Sequence, residues 1–251
     1  MICYEHPLNE RIRTMLRLED LFEKVTFFAA GEDAFEHHCA LTTLFEILDV
    51  TSRADMKSEL LQELERQKHA LETLRTSPDI SEDALNQVLS NIQAASLNML
   101  NMTGKIGEHV RENEWLMSIK QRAIIPGGAC EFDLPSYHYW LHADPALRRS
   151  DLEEWFAPLL PLQETFSIVL NLLRKSGKAI RHTAVRGAFQ QMGPGRAAHM
   201  LCLKLDEALP CVPEISANKY ALNIRFVISG FRQKTRIYED DVDFELAFCN
   251  L

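Results

Sequence analysis

Apolar residues recur every three or four positions through the first part of the chain and every second position through its last quarter, so the pattern predicts helices followed by strands. Leu8, Ile12, Met15, Leu16, Phe22, Val25 and Phe28 make the stripe of an amphipathic helix entered through Pro7 and Asn9. After a Gly-Glu-Asp break, residues 35–50 repeat it with Leu41, Leu44, Phe45 and Leu48. A third helix is expected over 53–75, with Met56, Leu60, Leu61, Leu64 and Leu71 inward and Glu alternating with Lys or Arg outside. Ser77-Pro78-Asp79 reads as a turn, and Ser81 suits the N-cap of a fourth helix carrying Leu85, Val88, Leu89 and Ile92. Another helix is expected over 109–121.

Pro126-Gly127-Gly128 stops helical structure, and Cys130, Phe132 and Leu134 alternate with Glu131 and Asp133 like a short strand. Helix returns at Ser136, with Tyr137, Trp140 and Leu141 on one face, and again over 145–156 and 162–173. Beyond Gly177 the period is two. Residues 201–205, 220–228 and 242–248 read as half-buried antiparallel strands, separated by Gly193-Pro194-Gly195 and Pro210 to Pro213. The expected class is α+β: an α-helical domain over 1–118 and 136–176, and a smaller antiparallel β-domain, discontinuous in sequence, over 119–135 and 177–251.

Composition changes this picture only in its details. A chain of 251 residues, 46% hydrophobic and 25% charged, needs neither disulfide nor metal to hold a core. Its six cysteines, at 3, 39, 130, 202, 211 and 249, show no C-x-x-C and no zinc-ligand spacing, which fits a reducing compartment and thiols used as small hydrophobes. No apolar run approaches the roughly 20 residues of a membrane span, and no secretory leader opens the chain, so a cytoplasmic protein without a membrane partner is expected. The net charge of -9 hides an asymmetry: residues 174–236 carry +9 and the remainder -18. Such a dipolar molecule can steer an acidic peptide or a nucleic acid to one end.

The search for chemistry is mostly empty. Thr103-Gly104-Lys105 lacks the upstream glycine of a phosphate loop, no G-x-G-x-x-G opens a helix, and Ser167 and Ser229 lie in no nucleophile elbow. His138 and His142 share a helix face at i,i+4, but no carboxylate lies between them as in a zinc-binding H-E-x-x-H; no metal, cofactor or catalytic residue is expected. The basic segment remains. Alternation turns Arg225 away from Ile224 and Phe226 onto a wetter face with Asn223, and Lys219 precedes that strand. Cross-strand neutralisation by Asp243 or Glu245 is the competing account. Arg13 and Arg17 pose the same question on the first helix, where Glu10 and Asp20 are placed to offset them. A nucleic-acid-binding face is the alternative function, because the basic segment also holds Phe189, Tyr220, Phe226 and Phe231 for stacking.

Three separated motifs in one order, E-H-P-L-N-E-R-I-R-T at 5–14, I-P-G-G-A-C-E-F-D-L-P at 125–135 and P-E-I-S-A-N-K-Y-A-L-N-I-R-F at 213–226, resemble the Z-ring-associated protein D (ZapD) family of bacterial cell-division proteins. The likeness extends through W-L-H at 140–142 to D-F-E-L-A at 243–247 and is weakest over 178–200. It implies a non-enzymatic homodimer, located at the division septum, that binds the C-terminal tail of the tubulin-like GTPase FtsZ and bundles its filaments, with no nucleic-acid partner. Carried over motif by motif, the tail-binding surface would include Arg13, Arg17, Arg53, His138 and Arg225, with Lys219 beside them. Two positions depart from the basic pattern of some relatives: Ala221, four before Arg225, and Glu114 at the end of R-E-N-E.

Overall fold

A computed structural model describes residues 1–52, 56–76, 81–192, 198–218, 220–228, 230 and 234–250. These residues form two compact units, a β-unit of Met1–Arg13 with Leu170–Leu251 and a helical unit of Thr14–Val169. The class is α+β, as the change of period predicts.

The helical unit follows the 3.6-residue pattern closely. Helix α1 (Glu10–Ala29) is capped by Asn9, whose side chain accepts from Ile12 N at 2.9 Å, but Pro7 ends a strand, Ile2–Pro7, and Leu8, read as the first residue of the helix stripe, packs against the β-unit core. Helix α2 (Ala34–Thr51) starts with a capping box: the Asp33 side chain accepts from Phe35 N, and the Glu36 carboxylate reaches back to Asp33 N at 3.0 Å. Helices α3 (Met56–Glu72) and α4 (Glu82–Asn101) pack together, and Ser81 caps α4 as its position predicts. The helix expected over 109–121 is two, α5 (Glu108–Arg111) and α6 (Glu114–Ala123), because Asn113 leaves helical geometry and caps the second. Helices α7 (Pro135–Leu141), α8 (Pro145–Phe156) and α9 (Leu160–Ser176) follow. The stretch Pro145–Ser176 is apolar enough, at a mean hydropathy of 1.3 over its best window, to match a membrane span by composition. Within it Leu152, Leu159, Leu162, Phe166 and Val169 are buried in the core, while Leu147 and Leu160 are exposed.

One expectation is corrected here. Cys130–Leu134 is not a strand: the Asp133 and Leu134 amides both donate to the Cys130 carbonyl at 3.0 Å, closing a turn that leads into α7 and leaving Phe132 exposed. Three alternating residues are too few to separate a strand from a turn with one inward side chain, Leu134. Consequently 119–135 adds no strand to the β-unit. The discontinuous contribution comes instead from the N-terminal segment, strand β1 (Ile2–Pro7).

The β-unit is two antiparallel sheets. One has the order β1-β4-β8-β2, with β4 (Met200–Leu205), β8 (Val242–Cys249) and β2 (Ile180–Ala184); the other runs β3-β6-β5, with β3 (Ala188–Met192), β6 (Ala221–Ile228) and β5 (Val212–Ala217), and β7 (Arg236–Ile237) pairs with β6. Leu201, Leu203, Val242, Phe244 and Leu246 of the first sheet share a core with Leu222, Ile224 and Phe226 of the second. The second sheet turns Asn223 and Arg225 away from that core, whereas the outer face of the first is partly covered, with Met200, Ala247 and Cys249 buried. Pro213 sits within β5, an edge strand, where the missing N–H costs no ladder bond.

Candidate functional site

Arg225 lies where its alternation places it. Leu222, Ile224 and Phe226 are buried, and Ala221, Asn223 and Arg225 point to the other face of the β3-β6-β5 sheet, Arg225 being exposed. Its register neighbours are Ala188 on β3 and Glu214 on β5. The competing account named the wrong acids. Asp243 and Glu245 belong to the other sheet, where Asp243 accepts from the Thr183 hydroxyl at 2.7 Å and Glu245 lies 3.5 Å from Arg181 and in register with Lys204. Glu214 is the carboxylate opposite Arg225, yet among the described residues the Arg225 guanidinium makes no ion pair within 4.0 Å and no hydrogen bond. A guanidinium held on a flat polar face beside Asn223, Gln190 and Ser216 keeps its planar fork available for a carboxylate.

Among the described residues, other basic residues of the +9 segment are spread over several faces. Arg174 is committed to Glu5 through two hydrogen bonds of 2.6 and 2.8 Å. Arg181 and Lys204 flank Glu245, and Arg236 sits at the register position of Ile228, opposite in face to Arg225. The charge asymmetry in sequence thus does not become one basic patch among the described residues.

The remaining candidates have distinct surroundings. Arg13 is exposed and paired with Glu10 at 2.9 Å, as the i,i+3 spacing allows, and it also helps burial to hold His6 below its ordinary value. Arg17 is exposed beside a shallow depression of about 370 Å³ that it lines with Asp20, Lys24, Glu46 and Asp49. Asp20 pairs with Lys24 at 2.6 Å and Asp49 with Lys120 at 2.6 Å, so acids and bases alternate there. His138 is 45% exposed, its Nε2 3.7 Å from Glu131, and its ring centroid is 4.3 Å from that of His142. The His142 Nδ1 is engaged by the His138 carbonyl at 2.9 Å, and among the described residues no group of three His, Cys, Asp or Glu side chains is arranged to hold a metal ion. Arg53 and Lys219 lie outside the described residues. Ala221 shares the Arg225 face, and Glu114 occupies the first turn of α6, where a carboxylate suits the helix dipole.

Two groupings escaped the sequence reading. Trp115, Trp140, Trp155 and Tyr137 form one aromatic cluster with ring centroids 5.6–6.2 Å apart, and Arg148 is buried against His37. The first joins the successive helices α6, α7 and α8, and the second joins α8 to α2; the only local signal was the Tyr137 and Trp140 pair on one helix face. A depression of about 730 Å³ is lined by Lys57, Lys105 and Arg111, among others, and includes Gly104 of the Thr-Gly-Lys sequence. Lys57 and Arg111 donate to backbone carbonyls, Lys57 to Met102 at 2.7 Å and Arg111 to Leu48 at 2.8 Å, which makes them helix-end clamps.

These features define an α+β protein in which Arg225 and Arg13 stand exposed on a two-sheet unit, and Arg17 and the half-exposed His138 on a helical unit. The family model described as cell division protein ZapD matches residues 16–225. Relatives called cell division protein ZapD are 58% identical in Nitrosomonas europaea, 57% in Nitrosomonas eutropha and 55% in Aromatoleum aromaticum, each over all of this chain and 96%, 100% and 98% of the relative. The chain belongs to the ZapD family of cell division proteins.

Proposed function

We propose that this chain binds the acidic C-terminal tail of FtsZ as a homodimer and so cross-links FtsZ filaments, promoting Z-ring assembly at midcell in the cytoplasm. Its role in cell division rests on family membership. The observation that carries the binding surface is Arg225: an exposed guanidinium on the wet face of β6 with no ion-pair partner among the described residues. It offers an acidic peptide a bidentate contact, and Lys219, two residues before β6, adds a point charge. Arg13, Arg17, Arg53 and His138 are the further candidates, tested one by one. The proposal requires no catalytic step and no cofactor.

Cosedimentation with intact and tail-deleted FtsZ tests it. The protein pellets with the first and stays in solution with the second. Arg225→Glu removes a donor and adds repulsion, weakening tail binding by about 2 kcal/mol, roughly thirtyfold in Kd. Fold and oligomeric state persist, because an exposed substitution typically moves stability by about 0.5 kcal/mol or less. Undiminished binding by a folded Arg225→Glu variant removes Arg225 from the surface; unfolding of the β-unit makes it a structural residue of the sheet. Equal pelleting with tail-deleted FtsZ rejects the tail as the ligand.

A further inference from the structure

We propose that Cys3 and Cys202 are a redox pair, which a peroxide-class oxidant joins in a reversible disulfide between β1 and β4. Strand β1 is the edge of its sheet, and Cys3 and Cys202 stand on the face away from the sandwich core. Their Sγ atoms are 2.9 Å apart, one thiol donating to the other. In the register Cys3 faces Lys204 and Glu5 faces Cys202, so the pair is diagonal. Diagonal positions are typically about 7–8 Å apart, beyond the usual roughly 4.4–6.8 Å span of a disulfide, but here the side chains lean together until the sulfurs are 2.9 Å apart, so closure needs the strand edge to shift slightly. Closing to the roughly 2.0 Å of an S–S bond takes less than about 1 Å of movement.

The surroundings give the two sulfurs different parts. Cys3 is exposed and open to a small oxidant, whereas Cys202 is half-buried and its thiol is pushed up to about 12, by burial first and by the Cys3 hydrogen bond second. Cys3 therefore reacts first. Its thiolate attacks one oxygen of hydrogen peroxide, the O–O bond breaks, and hydroxide leaves and is protonated to water, giving the sulfenic acid. The Cys202 sulfur then attacks Cys3 Sγ, the S–O bond breaks, and the oxygen leaves as a second water with the Cys202 proton. Two thiols are oxidised to one disulfide, and the peroxide is reduced to two waters.

Cys249, on β8, belongs to the same sulfur-rich face but is fully buried, and Gly177 closes over it: a Cβ at that glycine would stand 2.7 Å from Cys249 Sγ. Burial also raises its thiol. It is thus a covered neighbour of the pair. The disulfide would pin the edge strand that the Glu5–Arg174 ion pair already anchors, and it would close a covalent loop spanning most of the chain.

All six cysteines fall on different tryptic peptides, Cys3 in 1–11, Cys202 in 197–204 and Cys249 in 237–251, so peptide mapping reads the connectivity directly. The reduced full-length chain is treated with hydrogen peroxide, blocked with an alkylating agent, digested and weighed. The expected product is the linked 1–11 and 197–204 pair, lighter by two hydrogen atoms than the separate peptides. It is reversed by dithiothreitol and forms faster in the folded chain than in urea. The oxidised chain unfolds at a higher urea concentration than the reduced one, and Cys249→Ala still forms the link. A link from Cys3 to Cys249, a link between two chains, Cys3 oxidised with Cys202 still free, or equal rates folded and unfolded would each overturn the pair.

Discussion

His37 is a histidine that the fold requires to be neutral. It is completely buried, and its Nδ1 accepts from Arg148 Nε at 2.8 Å, so the proton sits on Nε2 and is donated to the Gly31 carbonyl at 2.9 Å. Arg148 is itself buried and gives its other hydrogens to the Leu141, Ala143 and Glu32 carbonyls, tying the α1–α2 turn to the α7–α8 turn. A second proton on His37 would remove that acceptor and set two cations against each other. Burial chiefly, then the Arg148 and Arg149 charges, hold His37 below its ordinary value of 6.5, against the opposing pull of the Gly31 hydrogen bond and Glu36. Burial also lowers His38, whose Nδ1 meets the Tyr137 hydroxyl at 2.7 Å, and His6. With folded values below the unfolded one, the unfolded chain binds more protons in the interval between them. Stability is therefore full above about pH 6.5 and is lost as pH falls through the folded values. Urea midpoints measured on either side of that pH check this, and His37→Asn, which keeps an acceptor but cannot become a cation, should flatten the slope while lowering stability at high pH. The three clustered tryptophans, close to this network, make fluorescence a reporter of the helical unit.

Among the elements, the β2–β3 turn shows how a two-residue turn serves both sheets. Arg186 and Gly187 both have positive φ, 49° and 66°, as the tightest hairpin turn needs, and the Arg186 amide is fixed by Asp241 at 2.9 Å. Since β2 lies in one sheet and β3 in the other, the turn carries the chain between the two layers. A Cβ at Gly187 would stand 2.3 Å from the Tyr238 carbonyl and 3.1 Å from that of Phe226. Gly187→Ala should accordingly cost about 1–3 kcal/mol in chemical denaturation, with the loss confined to the β-unit. The pattern read from sequence did not show this turn, but it did show β4, β6 and β8, which occupy interior positions of their sheets and alternate cleanly for five residues or more. Strand β5 was hidden by Pro213, legitimate only at an edge, and β1 by a partner, β4, almost two hundred residues away. The same limit governed the site. Alternation was enough to turn Arg225 outward, whereas the identity of the acid across from it depends on which sheet each strand joins, a fact without any local signal.

At the scale of the whole molecule, bundling is a question of valence. One tail site per chain decorates a filament; two sites related by a dimer axis join two filaments, each contact gaining from the effective concentration set by the other. Light scattering of the purified protein should give about twice the 28.8 kDa of one chain. Mixing tests the bridge itself. Once subunits exchange at random, the share of particles with two working sites falls as the square of the wild-type fraction. Adding Arg225→Glu subunits should abolish low-speed pelleting of bundles sooner than it abolishes high-speed pelleting of decorated filaments. A single-stranded oligonucleotide should leave both unchanged, whereas displacement of the tail by the oligonucleotide would favour the nucleic-acid reading. If bundling instead declines only in proportion to the wild-type subunit, each chain acts alone and the dimer bridge is wrong. A monomer in scattering that still bundles filaments leads to the same conclusion, and would require two FtsZ contacts on one chain.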